Sequence, residues 1–402
     1  MTLMWRLLLS AISLVAPFFL TGCWDELEMN ERAIVIGSAI DLTRAGRIVV
    51  TEQIVIPQGP KSSPGSTGQN FFIVSATGHD WMDAFQKLQT KLSRQIYLSH
   101  RRTVYFGERL ARRGIRPFLD ELSRNPDSRL RTDVVIVRHT DARDIMAIAT
   151  PLEKLPSFAA EGIRQSVGAI PGTSLLDCLM ASASETACPT VPTMVIEHHG
   201  VKRNNQSLDT IQFAGRAIFN KRLQLIGYIN YTDALWRVWI SQSLANQYIT
   251  VALPKPTEGY ASLNFISFKS RMTPGVTPAH RLSVRIDLGA KATVIENNTR
   301  LDLRKARDLR KLEETIDRHV TAQVLRSIRR VQHNFKADIY GVDDAFKQSF
   351  PGRWSVWKSQ WPQLFSHADV HVSCRVVILT TGATGGSLGL PETPTTTLQG
   401  DQ

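Results

Sequence analysis

Leu309, Leu312, Ile316, Val320, Val324, Ile328 and Val331 follow one another at steps of three, four, four, four, four and three residues. Charged residues fill most positions between them. That spacing puts the apolar side chains on one stripe of an α-helix, and such a stripe must pack on a core. The pattern predicts a helix over 302–333. At 1.5 Å per residue it would run about 45 Å, long enough to cross a whole sheet.

Strand patterns surround this helix. Val370, Val372, Cys374, Val376 and Ile378 alternate with His371, Ser373 and Arg375, which predicts a closing strand. Strand-like runs precede the helix at 248–253, 260–268, 280–288 and 291–296. Ile211–Phe219 and Leu223–Ile229 flank Asn220-Lys221-Arg222 and read as a hairpin. Another hairpin is expected from 32–41 and 47–56, with a third strand at Phe71–Ala76. Asp80 is a candidate N-cap for a helix over Asp80–Gln95, where Trp81, Phe85, Leu88 and Leu92 share a face. Thr103–Phe106 and Thr132–His139 read as short strands. Between them Glu108–Ser123 has a helical pattern that Gly114 and Pro117 weaken. Pro, Ser and Gly interrupt Ala-rich helical pieces over 151–192, and 57–70 is a loop. Phe346, Phe350, Trp354, Trp357, Trp361 and Phe365 form an aromatic set expected to be mostly core. Strands and helices interleave and the later strands run antiparallel, so the expected fold class is α+β.

The N-terminus carries the most specific signal. Arg6 is the sole charge before position 25, and Leu7–Leu20 is an apolar run of fourteen residues. A membrane-spanning helix needs about 20, whereas this length suits the apolar region of a secretory signal. Leu20-Thr21-Gly22-Cys23 follows and matches the bacterial lipoprotein signal. The expectation is a signal peptide over 1–22, cleavage between Gly22 and Cys23, and diacylglycerol on the Cys23 thiol. The plainer readings are an ordinary signal peptide with a cysteine at its end, or an uncleaved anchor.

Composition narrows the partners. Hydrophobic residues make up 43% and charged residues 21% of 402, which excludes disordered, collagen-like and multi-span membrane classes. Lys and Arg number 48 against 36 Asp and Glu, a net +12. A secreted location argues against nucleic acid, so the excess suits anionic lipid head groups. Thirteen bases and five acids fall between Lys87 and Arg138. Arg101, Arg102, Arg112, Arg113 and Arg116 are the candidate patch facing membrane or partner; the plainer reading is a solvated face. Arg112, Arg113 and Arg116 are expected to cluster within a turn and a half of helix.

No catalytic, metal or cofactor pattern stands out. Gly385-Gly386-Ser387-Leu388-Gly389 fits G-x-S-x-G, but no His follows it and its surroundings are tail-like. His198 and His199 are adjacent and would point to opposite faces of a strand. Asp343-Asp344 and Glu313-Glu314 read as solvated acidic pairs. Cys178 and Cys188 are either a local bridge or two buried thiols, because spacing alone does not decide.

Several runs together resemble the Ger(x)C spore germination lipoproteins, the C subunits of nutrient germinant receptors. They are Cys23-Trp24-Asp25-Glu26-Leu27-Glu28-Met29-Asn30 with Ala33–Asp41, then Ser99–Ile115, Phe213–Phe219 with Leu225-Ile226-Gly227, and Asp338-Ile339-Tyr340-Gly341 with Trp354 and Trp361. The runs fall in family order. The sequence departs where Glu26-Leu27 directly follows Trp24-Asp25 without a basic residue. The resemblance implies three mixed α/β domains, drawn here as 23–205, a β-rich 206–265, and 266–382 with the long helix, before a disordered tail at 383–402. It also implies a non-enzymatic subunit on the outer leaflet of the spore inner membrane, assembled with an A-type and a multi-span B-type subunit. No small-molecule ligand or cofactor is then expected on this chain. The rivals are a lipid-anchored solute-binding protein of a transporter, with two doubly wound lobes, and an anchored cell-wall hydrolase.

Overall fold

A computed structural model describes residues 31–56, 70–166, 173–186, 188–203, 206–241, 246–255 and 258–381, with Trp5 and Leu244 besides. The run Leu7–Leu20, Gly22, Cys23, the Gly385–Gly389 match and the expected tail lie outside the described residues.

The expected first hairpin forms: β1 (Arg32–Leu42) pairs antiparallel with β2 (Ile48–Val55), and β3 (Phe71–Gly78) adds to β2. On the other side of β1 the direction changes. β5 (Thr103–Gly107) and β6 (Asp133–Val137) run parallel to it, and short β4 (Gln95–Tyr97) pairs with its start. Parallel neighbours need a crossover, which the helices supply. α1 (Trp81–Gln89), α2 (Glu108–Arg113) and α3 (Arg116–Arg124) cover one face, where Leu88, Leu110 and Phe118 meet Val104 and Phe106. α4 (Ala142–Ile145) and α5 (Pro156–Ser166) cover the other, against Tyr105 and Val135. Every residue of β5 and β6 is therefore buried, as continuous apolar runs in a doubly covered sheet should be.

After α6 (Leu175–Ala183) the chain enters β7 (Thr190–Arg203), β8 (Gln206–Phe219) and β9 (Leu225–Ile229). These complete one sheet in the order β3-β2-β1-β5-β6-β7-β8-β9. Sequence pattern misses β7, because Pro192 and the bulge around His199 and Gly200 break its alternation. The first sheet also runs past position 205. The hairpin assigned to a middle unit instead pairs onto the N-terminal sheet through β7, and the boundary at 265 falls inside a strand.

The second sheet has the order β10-β11-β12-β13, from β10 (Gln247–Leu253), β11 (Gly259–Val276), β12 (Leu282–Asn297) and β13 (Asp369–Thr380). The first two ladders are antiparallel, and β12–β13 is parallel. Its crossover contains α8 (Ala306–Phe335), the long helix, 30 residues in length. Leu312, Ile316, Val320, Val324, Ile328 and Val331 are all buried on it, as their spacing requires. The fold is thus mixed α and β with largely antiparallel sheets, as expected.

Two acids on α8 are not simply solvated. Glu313 accepts the Ile378 N–H at 2.9 Å and Asp317 accepts that of Val376 at 2.7 Å. Both amides belong to the edge strand β13, so these bonds close part of an edge that could otherwise recruit another chain. Phe346, Trp354, Trp361 and Phe365 pack into the same core, from α9 (Val342–Ser349), α10 (Pro351–Trp357) and α11 (Trp361–Ser366).

α7 (Tyr231–Ile240) joins the two sheets. It also escapes the sequence reading. Asn230 caps it by accepting the Asp233 N–H at 2.8 Å, and Trp236 and Trp239 are buried beneath it. Asp233 pairs with Arg330 of α8 at 2.6 Å, and Arg237 Nε donates to the Ile339 carbonyl at 2.8 Å.

Gly215 sits at a bulge in β8, where three steps along β8 match two along β7. Its φ is +101°, and a Cβ there would lie 2.1 Å from the Ile229 carbonyl oxygen. The obstruction is backbone, so no rotamer relieves it. Gly215→Ala is expected to cost at least about 1–3 kcal/mol, the range for a strained backbone position. Calorimetric unfolding checks this, and an unchanged melting temperature would remove the bulge from the argument.

Candidate functional site

The basic stretch supplies the candidate surface, and the structure divides it. Arg101 is not part of any surface. It is 2% exposed, in the turn between β4 and β5. Its Nη2 donates to Ser128 Oγ at 2.8 Å and its Nη1 reaches Ser38 Oγ at 3.4 Å. The Ser38 hydroxyl donates in turn to Glu52 Oε2 at 2.5 Å. Burial pushes the Glu52 carboxyl up to about 7, while Arg101 and Ser38 pull it back. Arg101 therefore compensates an acid inside the sheet.

Arg102 lies apart from the others, 3.7 Å from Glu161 and over the Phe158 ring. Many remaining bases of the stretch are in exposed ion pairs, such as Arg109–Asp141 and Arg124–Asp120, which are worth little individually.

The expected cluster of Arg112, Arg113 and Arg116 is also corrected. The helical pattern breaks at Gly114, whose φ is +121°, and the Ile115 N–H leaves the helix to bond the Leu223 carbonyl at 2.9 Å. The arginines consequently diverge. Arg112 pairs with Glu108 at 2.6 Å beside a cleft that also holds Arg44, Arg109 and His139. Arg113 donates to the Gly46 carbonyl at 3.2 Å, and Arg116 to that of Lys221 at 2.5 Å.

Arg113 and Arg116 rim a cavity of about 570 Å³. Its floor includes Ile48, Trp81, Leu110 and Phe118, and Arg222 joins the rim from the β8–β9 turn. Among the described residues none of these three arginines forms an ion pair with a carboxylate. Asp80 and Glu121 also line the recess, but the three guanidinium groups lack a carboxylate partner, and such a rim around apolar residues suits an apolar side chain flanked by acids. Sequence showed the charges, but the floor comes from β2, α1, α2 and α3 together and has no local signature.

Other marked residues resolve simply. His198 and His199 are exposed, with His198 Nδ1 2.9 Å from Asp209 Oδ2. No group of three or more His, Cys, Asp or Glu side chains among the described residues could hold a metal. Cys178 and Cys188 are separate thiols, and burial pushes each up to about 12. Asp343, expected in solvent, is buried and accepts from Thr186 Oγ1 at 2.6 Å. Among the described residues no helix is long and apolar enough to cross a membrane.

Comparison with known proteins agrees with this architecture. The family model described as the spore germination protein N-terminal domain matches residues 25–196, and that for the spore germination B3/GerAC-like C-terminal region matches 214–382. The chain is 31% identical over 377 residues to the protein YfkR of Bacillus subtilis (strain 168), covering 90% of this chain and 93% of YfkR. It is 23% identical over 394 residues to spore germination protein KC of the same organism, covering 94% and 96%. The crystal structure of the GerBC protein superposes with a TM-score of 0.55 at 16% identity, over 85% of this chain and 97% of that one, and so shares the fold. Matched in order over both its sheets, the chain belongs to the GerAC, or Ger(x)C, family of spore germination proteins.

Proposed function

We propose that this chain is a lipid-anchored, non-enzymatic subunit of a spore nutrient germinant receptor. Cys23 holds it on the outer leaflet of the spore inner membrane, and its body supports assembly and signalling with the A-type and B-type membrane subunits. The observation that carries this reading is the pair of family matches, which together span 25–196 and 214–382. Leu20-Thr21-Gly22-Cys23 supports the anchor. The solute-binding alternative calls for two doubly wound lobes, whereas the second sheet here has two antiparallel ladders.

The contact surface in this reading is the apolar recess rimmed by Arg113, Arg116 and Arg222, and the partner is an acidic, apolar-tipped loop of a membrane subunit. Reversing Arg113 and Arg116 to Glu replaces attraction by like-charge repulsion at that rim. We expect recovery of the membrane subunits on affinity purification to fall at least tenfold, with circular dichroism unchanged. Arg112→Glu, which alters the neighbouring cleft, should leave recovery intact. Equal recovery with the folded double variant would move the interface elsewhere. An equal loss with Arg112→Glu would reduce the recess to one part of a general charge effect.

A further inference from the structure

A second cavity, of about 360 Å³, lies between the β7–β8 part of the first sheet, α7 and the segment that follows α8. Thr173, Cys188, Thr190 and Arg216 line it from the first sheet's side, Arg237 from α7, and Asp338, Tyr340 and Asp343 from the segment after α8. It is separate from the recess at Arg113 and Arg116.

Arg216 is 2% exposed. Its Nε donates to Thr190 Oγ1 at 2.9 Å, and its Nη2 to the Thr190 carbonyl at 2.7 Å and Thr173 Oγ1 at 3.4 Å. All three acceptors are neutral. Nη1 is buried and has no partner. Arg237, half-buried on the same cavity, uses Nε on the Ile339 carbonyl, which is also neutral. Neither arginine forms an ion pair with a carboxylate of the described residues. Burial, and then the positive charge of Arg237, disfavour the protonated form of Arg216. Arginine does not shed its proton in proteins, so the charge requires compensation from elsewhere.

Four acids line the cavity wall: Asp344 is exposed, and the other three are largely committed. The Asp338 carboxylate accepts the N–H groups of Tyr340, Val342 and Asp343 at 3.0, 3.3 and 2.7 Å, and Trp361 Nε1–H at 3.2 Å. Asp177 caps α6 and accepts from Ser174. Asp343 accepts from Thr186 through Oδ2, leaving Oδ1 without a partner. The hydrogen-bond partners of the two guanidinium groups are thus all neutral, and Asp177 and Asp338 act on them only through space.

We infer that this junction cavity binds a small oxyanion, of the carboxylate or phosphate class, held by Arg216 and Arg237. A guanidinium fork matches such anions in geometry as well as charge. The glycine bulge at 215 immediately precedes Arg216, and bulges are a common means of re-aiming a side chain. Because one wall comes from the first sheet and another from the segment after α8, whose Ile339 and Tyr340 belong to the core under the second sheet, an anion bound here would also fasten one unit to the other. This departs from the expectation of no small-molecule ligand on the chain.

The test uses the full-length protein in detergent, titrated with inorganic phosphate and with succinate against sodium chloride of equal ionic strength. A ligand that binds only the folded state raises the melting temperature saturably. We expect at least one of the two anions to do so beyond chloride, and Arg216→Gln to weaken that response at least tenfold while keeping the wild-type circular dichroism. Should Arg216→Gln not fold, Arg237→Gln serves as the test with the same expected loss. No shift beyond chloride with either anion overturns the site, as does a full response in the folded variant.

Discussion

Cys23→Ala is expected to abolish lipid attachment, moving the protein from the membrane fraction into the soluble fraction or leaving an unprocessed precursor. The effect should be close to complete, because attachment in this reading rests on the acyl chains. Each buried methylene contributes about 0.8 kcal/mol, and one chain gives only reversible binding whereas two hold stably. A diacylglyceryl group on one thiol supplies both chains, so losing the thiol loses them together. Among the described residues no helix is long and apolar enough to cross a bilayer. Mass spectrometry of the mature N-terminus decides the matter. An unmodified peptide reading through Gly22-Cys23 would overturn the anchor.

The second large effect is inside the first sheet. Arg101→Ala removes the cation that offsets Glu52, which is itself fully buried. Removing one member of a buried charge pair costs about 3–5 kcal/mol, because the other remains uncompensated. The loss should depend on pH. In the folded protein burial raises the Glu52 carboxyl from 4.5 to about 7. A raised acid favours folding below its unfolded value, and this contribution is lost as pH rises through the folded value. Without Arg101 the folded value moves higher still, so the penalty grows through that window. Denaturant unfolding should therefore show a smaller loss at pH 5, where Glu52 is protonated, than at pH 8. Measured against Glu52→Gln, adding Arg101→Ala should show a smaller difference between the two pH values, the remainder coming from Glu121, whose carboxyl Arg101 also pulls down. A loss independent of pH in the single variant would assign Arg101 a packing role alone.

These two residues mark what sequence could and could not convey. The proposed anchor at Cys23 rests wholly on a linear string: an apolar run of defined length and small residues before a thiol. The long helix is legible for a related reason. Its stripe is set by the 3.6-residue turn, and the buried set Leu312–Val331 follows from that period. The β1–β2 hairpin, the Asp80 cap and the weakness at Gly114 are equally local, and each appears at its expected place.

Arg101 has no such local mark. An arginine next to Arg102 in a short turn reads as surface, and it is buried because Ser38, Glu52 and Ser128 converge on it from distant parts of the chain. β7 has a poor strand pattern and exists because β6 and β8 offer it hydrogen-bonding edges on both sides. That pairing draws β8 and β9 into the first sheet, across position 205. The oxyanion cavity is more remote still, because Arg216 and Asp338 come from different units. Local periodicity and peptide signals are written in consecutive residues, so the sequence alone determined the helix stripe and the hairpins and carries the proposed anchor signal. Strand order, the burial of charge and the shape of both cavities depend on which distant segments meet, and only the tertiary structure decided those.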